Sequence, residues 1–133
     1  MTDQPKTFVI GVVDDDQRML EALEFLLESA DYATRPFTSA KALLESGCLA
    51  KIDCLISDID MPVMDGVQLL QVVRAIRPEL PIVLVTGLPD LPERLSAEGA
   101  LNYRLLRKPF DGQELLTAVS DTLPNPRPRT SLA

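Results

Sequence analysis

Apolar runs rich in β-branched residues alternate with helical segments along this chain, and this alternation constrains the fold more than any other feature. Five strands are predicted, at 8–13, 32–37, 52–57, 81–86 and 103–106. Five helices are predicted from apolar residues at helical spacing, at 17–30, 39–47, 67–76, 90–99 and 111–123. Strands and helices in regular alternation form parallel sheets covered on both faces. The sequence therefore predicts an α/β fold with one doubly wound, five-stranded parallel sheet.

Length and composition indicate one ordinary globular domain. The chain has 133 residues, of which 46% are hydrophobic and 25% are charged. We expect this domain at 7–123, followed at 124–133 by a proline-rich tail that is disordered. No apolar run approaches the ~20 residues of a membrane span. The first residues do not resemble a secretory signal, so the expected location is the cytoplasm.

The charge balance and the missing residue types exclude several classes of function. The formal net charge is −7, from 20 acidic and 13 basic residues, which argues against direct binding of nucleic acid. Without a single histidine, the chain cannot contain a Ser-His-Asp triad, a histidine zinc ligand or a histidine phosphodonor. Cys48 and Cys54 do not form a C-x-x-C pair and are predicted to be buried or half-buried thiols.

Residues whose side chains can bind a metal ion or take part in catalysis lie at the carboxyl ends of four of the five predicted strands. Asp14 and Asp15 follow the first strand, Asp58 the third and Lys108 the fifth, while Thr86 ends the fourth. The carboxyl ends of parallel strands share one edge of the sheet, where open α/β folds bind their ligands. We therefore expect clustered carboxylates, a hydroxyl and an ammonium group to meet in one crevice.

These residue types together suit phosphoryl transfer. Clustered carboxylates repel one another unless a cation neutralises them, and Mg²⁺ prefers one or two carboxylates together with water and phosphate oxygens. Lys108 and Thr86 would then contact the oxygens of a phosphoryl group, whose transfer depends on positioning and charge stabilisation. Asp58 is the predicted nucleophile, because carboxylates form aspartyl-phosphate intermediates.

Each of these residues also has a purely structural interpretation. The run of acids from Asp14 could cap the following helix, and Asp16 is the predicted N-cap. Thr86 taken alone would be a hydroxyl at a strand end, and Lys108 taken alone a surface lysine. The occurrence of all these residues at the ends of neighbouring strands favours a functional role over a structural one. Asp65, before Gly66, is predicted to begin a helix after a turn rather than to bind a ligand.

Nearly the whole chain, from about 7 to 123, resembles the receiver domain of bacterial two-component response regulators. The resemblance rests on four motifs in order, each at a strand end. They are Val12-Val13-Asp14-Asp15-Asp16, Asp58-Ile59-Asp60-Met61-Pro62-Val63-Met64-Asp65-Gly66, Val85-Thr86-Gly87 and Lys108-Pro109-Phe110. The Thr86-Gly87 pair further resembles receivers attached to helix-turn-helix regulators of the nitrogen-fixation type.

The resemblance implies a flavodoxin-like strand order of 2-1-3-4-5 and a role for each motif residue. Asp58 would accept a phosphoryl group from a sensor histidine kinase or a phosphotransfer protein. Asp15 and Asp58 would ligate Mg²⁺ directly, together with the main-chain carbonyl of Asp60, and Asp14 would act mostly through water. Thr86 and Lys108 would bind phosphate oxygens. The domain would be a signalling module that catalyses only its own phosphorylation and dephosphorylation.

The output implied by the resemblance is a change in protein interactions. Phosphorylation would alter the face formed by the helix at 90–99, the fifth strand and the final helix. The partner would be a downstream protein or an output domain beyond this chain, and a phosphorylation-dependent homodimer is a further expectation. The family usually has an aromatic switch three residues before the lysine; here that position is Leu105, and Tyr103 lies two residues earlier. Either Tyr103 substitutes through a shifted strand or the switch is missing.

Other positions that influence output in the family are also unusual here. Pro89 and Pro92 shorten or reset the helix predicted at 90–99. Asp60 and Leu88 lie two residues past Asp58 and Thr86, at positions that tune phosphate lifetime in the family.

Two other functions compete with this interpretation. Without its aromatic switch the domain could be an unphosphorylated scaffold with the receiver fold. Asp58-Ile59-Asp60 is also similar to the D-x-D motif of haloacid-dehalogenase-type phosphatases, in which one acid attacks and the other transfers protons. That motif usually follows the first strand, whereas Asp58 follows the third predicted strand and leads into Met61-Pro62.

Overall fold

The computed structural model describes residues 7–89 and 103–123, and its centre is a parallel sheet of five strands. The strands are β1 (Val9–Val13), β2 (Ala33–Phe37), β3 (Cys54–Asp58), β4 (Ile82–Thr86) and β5 (Arg104–Arg107). They pair in the order β2-β1-β3-β4-β5. The predicted α/β class and the strand order implied by the family resemblance are both confirmed.

Four α-helices and one short 3₁₀ helix occur in the described part of the chain. The α-helices are α1 (Gln17–Ser29), α2 (Ala40–Ser46), α3 (Gly66–Ile76) and α4 (Gly112–Thr122), and the 3₁₀ helix is Cys48–Ala50. The predicted element ends agree with the structure within two residues, but the 3₁₀ helix was not predicted. The helix predicted at 90–99 and the tail predicted at 124–133 lie outside the described residues.

The helix ends follow from capping residues that the sequence displays. Asp16 accepts a hydrogen bond from the Arg18 N–H at the start of α1, and Ser39 caps α2 in the same manner. Asp65 and Asp111 each form a reciprocal capping box with the third residue of α3 and α4. Gly47 ends α2 in the left-handed conformation, with a φ of 81°. The predicted helix starts at Asp16 and Asp65 are therefore confirmed, and the helix predicted at 111–123 begins after its cap Asp111.

Apolar residues on the two faces of the sheet form two separate cores. On one face α2 and α3 pack against the strands, through Val13, Leu43, Leu55, Leu70, Val73 and Leu84 among others. On the other face α1 and α4 do the same, through Ile10, Leu23, Leu27, Ile56, Val85 and Val119 among others. Alternate residues of β4 and of β1 point into different cores, as expected for a strand buried on both faces.

Strand register brings the predicted site residues to one edge of the sheet. Val13, the last residue of β1, lies opposite Ser57 of β3, and Asp58 lies opposite Val85 of β4. Thr86 lies opposite Arg107, which immediately precedes Lys108. The carboxyl ends of β1, β3, β4 and β5 therefore end side by side. None of the described helices has the length and apolarity needed to cross a membrane.

Candidate functional site

Three carboxylates meet at the carboxyl edge of the sheet. Asp14 and Asp15 follow β1, Asp58 ends β3, and one carboxylate oxygen from each lies within 4.8 Å of those of the other two. Asp14 and Asp58 are only 2% and 5% exposed, whereas Asp15 is open to solvent. The structure thus brings together three of the predicted residues in a pocket that is buried on one side and accessible on the other.

Asp58 is a buried acid with an incomplete set of partners. Its Oδ1 atom lies 3.2 Å from Lys108 Nζ, but makes no hydrogen bond of good geometry with any residue in 7–89 or 103–123. The pKa of Asp58 is raised to about 6, chiefly by burial; Lys108 partly opposes this effect, and the nearby Asp14 carboxylate adds to it. A buried carboxylate oxygen without a hydrogen-bond donor is costly, so this atom is open to a ligand.

The environment of Asp14 also disfavours its ionised form. Burial raises the pKa of Asp14 above its ordinary value, and the backbone N–H of Asp16, 2.9 Å from Asp14 Oδ1, partly offsets this effect. Lys108 lowers the pKa of Asp14 as well, whereas Asp15 raises it. Two buried acids with raised pKa values beside a third acid form a site of excess negative charge, which Lys108 offsets only in part and which a cation would stabilise.

The residues present fit a Mg²⁺ ion. The donors are carboxylate oxygens, which are the ligands that this hard cation prefers, and the exposed side at Asp15 leaves room for water ligands. The Oδ1 atom of Asp58 is paired with Lys108 but makes no hydrogen bond of good geometry within the described residues, so it supplies a further oxygen for the ion. Asp60 lies two residues beyond Asp58, and its exposed side chain is not a member of the described carboxylate cluster.

Thr86 and Lys108 belong to one hydrogen-bonded corner between β4 and β5. Thr86 is fully buried, and its Oγ1 atom accepts a hydrogen bond of 2.9 Å from the Leu88 N–H. The backbone N–H of Lys108 donates to the Thr86 carbonyl at 2.7 Å, which ties the two strand ends together. The peptide bond between Lys108 and Pro109 is cis. Lys108 is therefore held at its main chain while its ammonium group reaches Asp58.

The loop after β3 returns the chain very close to Asp58. Gly66, the first residue of α3, donates its N–H to the Ile59 carbonyl at 2.9 Å. A Cβ atom at this position would lie 2.5 Å from the Asp58 carbonyl oxygen and 2.8 Å from the Ile59 Cα atom. Glycine is therefore required by close backbone packing beneath the site.

The switch position holds no aromatic residue in the structure. Leu105 lies in the middle of β5 opposite Leu84, and Tyr103 immediately precedes the strand. Both side chains are half-buried and pack against the core beneath α2 and α3, as does Leu88. The strand is not shifted in a way that brings Tyr103 to the position of Leu105.

Sequence reasoning missed the roles of two arginines. The exposed side chain of Arg104 pairs with Asp121 of α4 at 3.2 Å, and the exposed side chain of Arg107 donates to the Leu88 carbonyl at 3.1 Å. The alternation of residues along β5 indicated only that both side chains face outward, because their partners depend on strand register and loop path.

Comparisons with known proteins agree with this fold and site. The family described as "Response regulator receiver domain" matches residues 10–120. The transcriptional regulatory protein FixJ of Azorhizobium caulinodans is 35% identical over 121 residues, which cover 90% of this chain and 56% of FixJ. DctD of Rhizobium meliloti, the C4-dicarboxylate transport transcriptional regulatory protein, is 35% identical over 90% of this chain and 25% of its own length.

Solved structures show the same architecture. The chemotaxis protein CheY4 of Vibrio cholerae superposes with a TM-score of 0.79 at 26% identity, covering 89% of this chain and 100% of that chain. The response regulator StyR superposes with a TM-score of 0.78 at 36% identity, covering 89% of this chain and 60% of that chain.

The doubly wound fold, the acidic pocket at the carboxyl edge of the sheet and the family match together define the class of this domain. The chain belongs to the response regulator receiver domain family and functions in two-component signal transduction. It spans a little more than half the length of the FixJ proteins, at 56% and 58%.

Proposed function

We propose that Asp58 accepts a phosphoryl group from a phosphohistidine of a sensor histidine kinase or phosphotransfer protein. The observation that carries this proposal is the buried Asp58 Oδ1 atom, which has Lys108 Nζ at 3.2 Å and two further acids beside it. A carboxylate oxygen of Asp58 forms the new bond to phosphorus, the P–N bond of the donor breaks, and the imidazole leaves with the bonding electrons. This chain has no histidine, so the donor comes from another protein.

Each neighbour of Asp58 has a defined role in this proposal. The ammonium group of Lys108 stabilises the negative charge that the phosphoryl oxygens bring into the pocket. The hydroxyl group of Thr86 donates a hydrogen bond to one of these oxygens. Both side chains are held by the corner between β4 and β5, so little reorganisation is needed when the phosphoryl group arrives.

Mg²⁺ is the proposed cofactor. Asp15 and Asp58 would hold the ion together with the main-chain carbonyl of Asp60, while Asp14 would contact it mostly through water. When bound, the ion neutralises the carboxylates and the incoming phosphoryl oxygens. The clustered carboxylate oxygens and the raised pKa values of Asp14 and Asp58 support this assignment.

The proposed output is a change in the face formed by the helix predicted at 90–99, β5 and α4. Phosphorylation would shift an existing equilibrium between two states of this face. The target would be a downstream protein or an output domain beyond this chain, and a homodimer formed on phosphorylation is one form of the response. We place the receiver domain at 7–123 and its activity in the cytoplasm, in keeping with the free thiols of Cys48 and Cys54.

Phosphorylation by a small-molecule donor tests the proposal directly. With acetyl phosphate and Mg²⁺, intact-mass measurement is expected to show one added phosphoryl group on the wild-type protein and none on Asp58→Asn. Asp31→Asn is the matched control, because Asp31 is an exposed acid with a positive φ that asparagine also adopts. Equal labelling of wild type and Asp58→Asn would contradict the proposal.

The two competing functions predict different outcomes in the same assay. A scaffold with the receiver fold would remain unlabelled although it binds Mg²⁺ and stays folded. A D-x-D phosphatase would turn over a phosphate monoester continuously, whereas the proposed phosphoacceptor takes up one phosphoryl group at Asp58.

A further inference from the structure

Arg107 reaches from the end of β5 to the loop that follows β4. It lies opposite Thr86 in the sheet register, and its guanidinium Nη1 atom donates to the Leu88 carbonyl at 3.1 Å. The side chain is exposed, so the bond is not a by-product of core packing. It joins two segments that lie 19 residues apart in sequence, directly beside the proposed phosphorylation site.

The loop after β4 is therefore held from both sides of Leu88. The Leu88 N–H donates to Thr86 Oγ1 at 2.9 Å, and the Leu88 carbonyl accepts from Arg107. Where the loop leaves β4, the Thr86 carbonyl accepts a hydrogen bond of 2.7 Å from the Lys108 N–H. The side chain of Leu88 is only half-buried, so these hydrogen bonds fix the loop where packing alone is weak.

The bond between Leu88 and Thr86 determines what the Thr86 hydroxyl group offers a ligand. A hydroxyl group has one hydrogen to donate and two lone pairs that accept. The Leu88 N–H occupies one lone pair and leaves the hydrogen available. An ionised phosphoryl oxygen has only lone pairs, so it needs a donor. The position of Leu88 therefore sets the direction from which Thr86 Oγ1 can donate.

We propose that Arg107 is a positioning residue for phosphorylation, which acts by holding Leu88 so that the Thr86 hydroxyl group is oriented to donate to the phosphoryl group. This inference rests on the proposed function of Asp58 and Thr86 and adds a residue to it. The position before the lysine thus takes part in the site, although its side chain does not contact the reacting atoms. The switch position of β5 holds Leu105 and no aromatic residue. The hydrogen bond from Arg107 to Leu88 is therefore the polar contact through which β5 acts on the Thr86 hydroxyl group.

The orientation of Thr86 in the unphosphorylated protein provides the first test. Three-bond NMR couplings from the backbone N and C′ atoms to Thr86 Cγ2 report its χ1 angle. Arg107→Met is expected to change these couplings towards rotamer averaging and to speed hydrogen exchange of the Leu88 amide. Arg104→Met is the matched control, since it removes the same charge from the same strand but breaks a contact with Asp121.

Phosphorylation rates provide the second test. With acetyl phosphate and saturating Mg²⁺, Arg107→Met is expected to be modified about fivefold more slowly, the change that loss of one hydrogen bond produces. Arg107→Lys retains a donor for the Leu88 carbonyl and should recover part of the rate. Arg104→Met should match the wild type. In a Thr86→Ala background, Arg107→Met should cause no further loss, because the hydroxyl group through which it acts is absent.

The outcomes separate this inference from the proposed function. Unchanged Thr86 couplings in Arg107→Met overturn the inference, and so does an equal rate loss in the wild-type and Thr86→Ala backgrounds. If the wild-type protein is not modified at all, the proposed function fails, and the couplings still decide whether Arg107 positions Thr86.

Discussion

Asp58 combines burial with charge, and this conflict makes the stability of the protein depend on pH. The folded protein binds a proton at Asp58 with a pKa of about 6, above the ordinary value of 3.8 that applies to the unfolded chain. The stability that this group contributes is therefore full below about pH 3.8 and is lost as the pH rises through 6. At neutral pH the ionised carboxylate destabilises the fold in the absence of a cation.

Asp58→Asn is accordingly expected to stabilise the metal-free protein at pH 8 but not at pH 4. The difference between the two pH values should be about 1 to 3 kcal/mol, from a shift of roughly two pKa units that already includes the opposing effect of Lys108. Urea unfolding in the presence of a chelator measures this difference, with Asp31→Asn as the control. An equal effect of Asp58→Asn at both pH values would contradict the raised pKa.

A residue of the candidate site was predictable from the sequence when it lies at the end of a predicted strand. Asp14, Asp15, Asp58, Thr86 and Lys108 were expected to meet because each lies at the end of an apolar run at the same edge of a parallel sheet, and the structure brings them to that edge. The contact between Arg107 and Leu88 was not predictable, because it depends on the register of β5 against β4 and on the path of the following loop. Alternation along a strand shows which way a side chain faces, but not what it touches.

The junction between β3 and α3 is a rigid element of the site, and Gly66 is the position that tests it. Alanine favours a helix by about 1 kcal/mol relative to glycine, yet its Cβ atom would lie 2.5 Å from the Asp58 carbonyl oxygen. The atoms in conflict belong to the backbone and cannot rotate away, so the strand end itself must move. A forced shift of this kind costs about 1 to 3 kcal/mol.

Gly66→Ala is therefore expected to lower the free energy of unfolding by about 1 kcal/mol, because a shift that costs about 2 kcal/mol outweighs a helix-propensity gain of at most about 1 kcal/mol. Chemical denaturation of the metal-free protein measures the change. Gly87→Ala is the control, because a Cβ atom there would meet only side-chain carbons of Lys108, at 3.7 and 3.8 Å. Comparable stability of Gly66→Ala and the wild type would show that the junction can relax.

The helices and strands were predicted well because the spacing of the apolar residues and the positions of the capping residues indicated the same boundaries. Asp16, Asp65 and Asp111 begin their helices as expected, and Gly47 ends α2. The 3₁₀ helix Cys48–Ala50 was missed because three residues are too few to show a period. Its formation depends on a local hydrogen bond from the Lys51 N–H to the Cys48 carbonyl.

Packing in the two cores holds the strands in register and stabilises the fold. The acidic pocket opposes this stabilisation, because it places like charges from two strand ends close together. Asp14 and Asp15 follow β1, and Asp58 ends β3. A cation bound between them would therefore stabilise the folded protein as a whole, since the unfolded chain has no such site. For a ligand that binds only the folded state, a concentration of ten times Kd adds about 1.4 kcal/mol.

Mg²⁺ is accordingly expected to raise the unfolding midpoint of the wild-type protein and to have little specific effect on Asp15→Asn. Asp15 is the appropriate position because it is exposed, so its substitution removes a predicted ligand without disturbing the cores. The net charge of −7 means that salt alone also stabilises the chain by screening, so each measurement needs NaCl at matched ionic strength. Thermal or urea unfolding with Mg²⁺ and with NaCl separates the two effects. If Asp15→Asn keeps the full Mg²⁺ effect, the ion does not bind at the carboxylate cluster, and the stabilisation arises from screening or from another site.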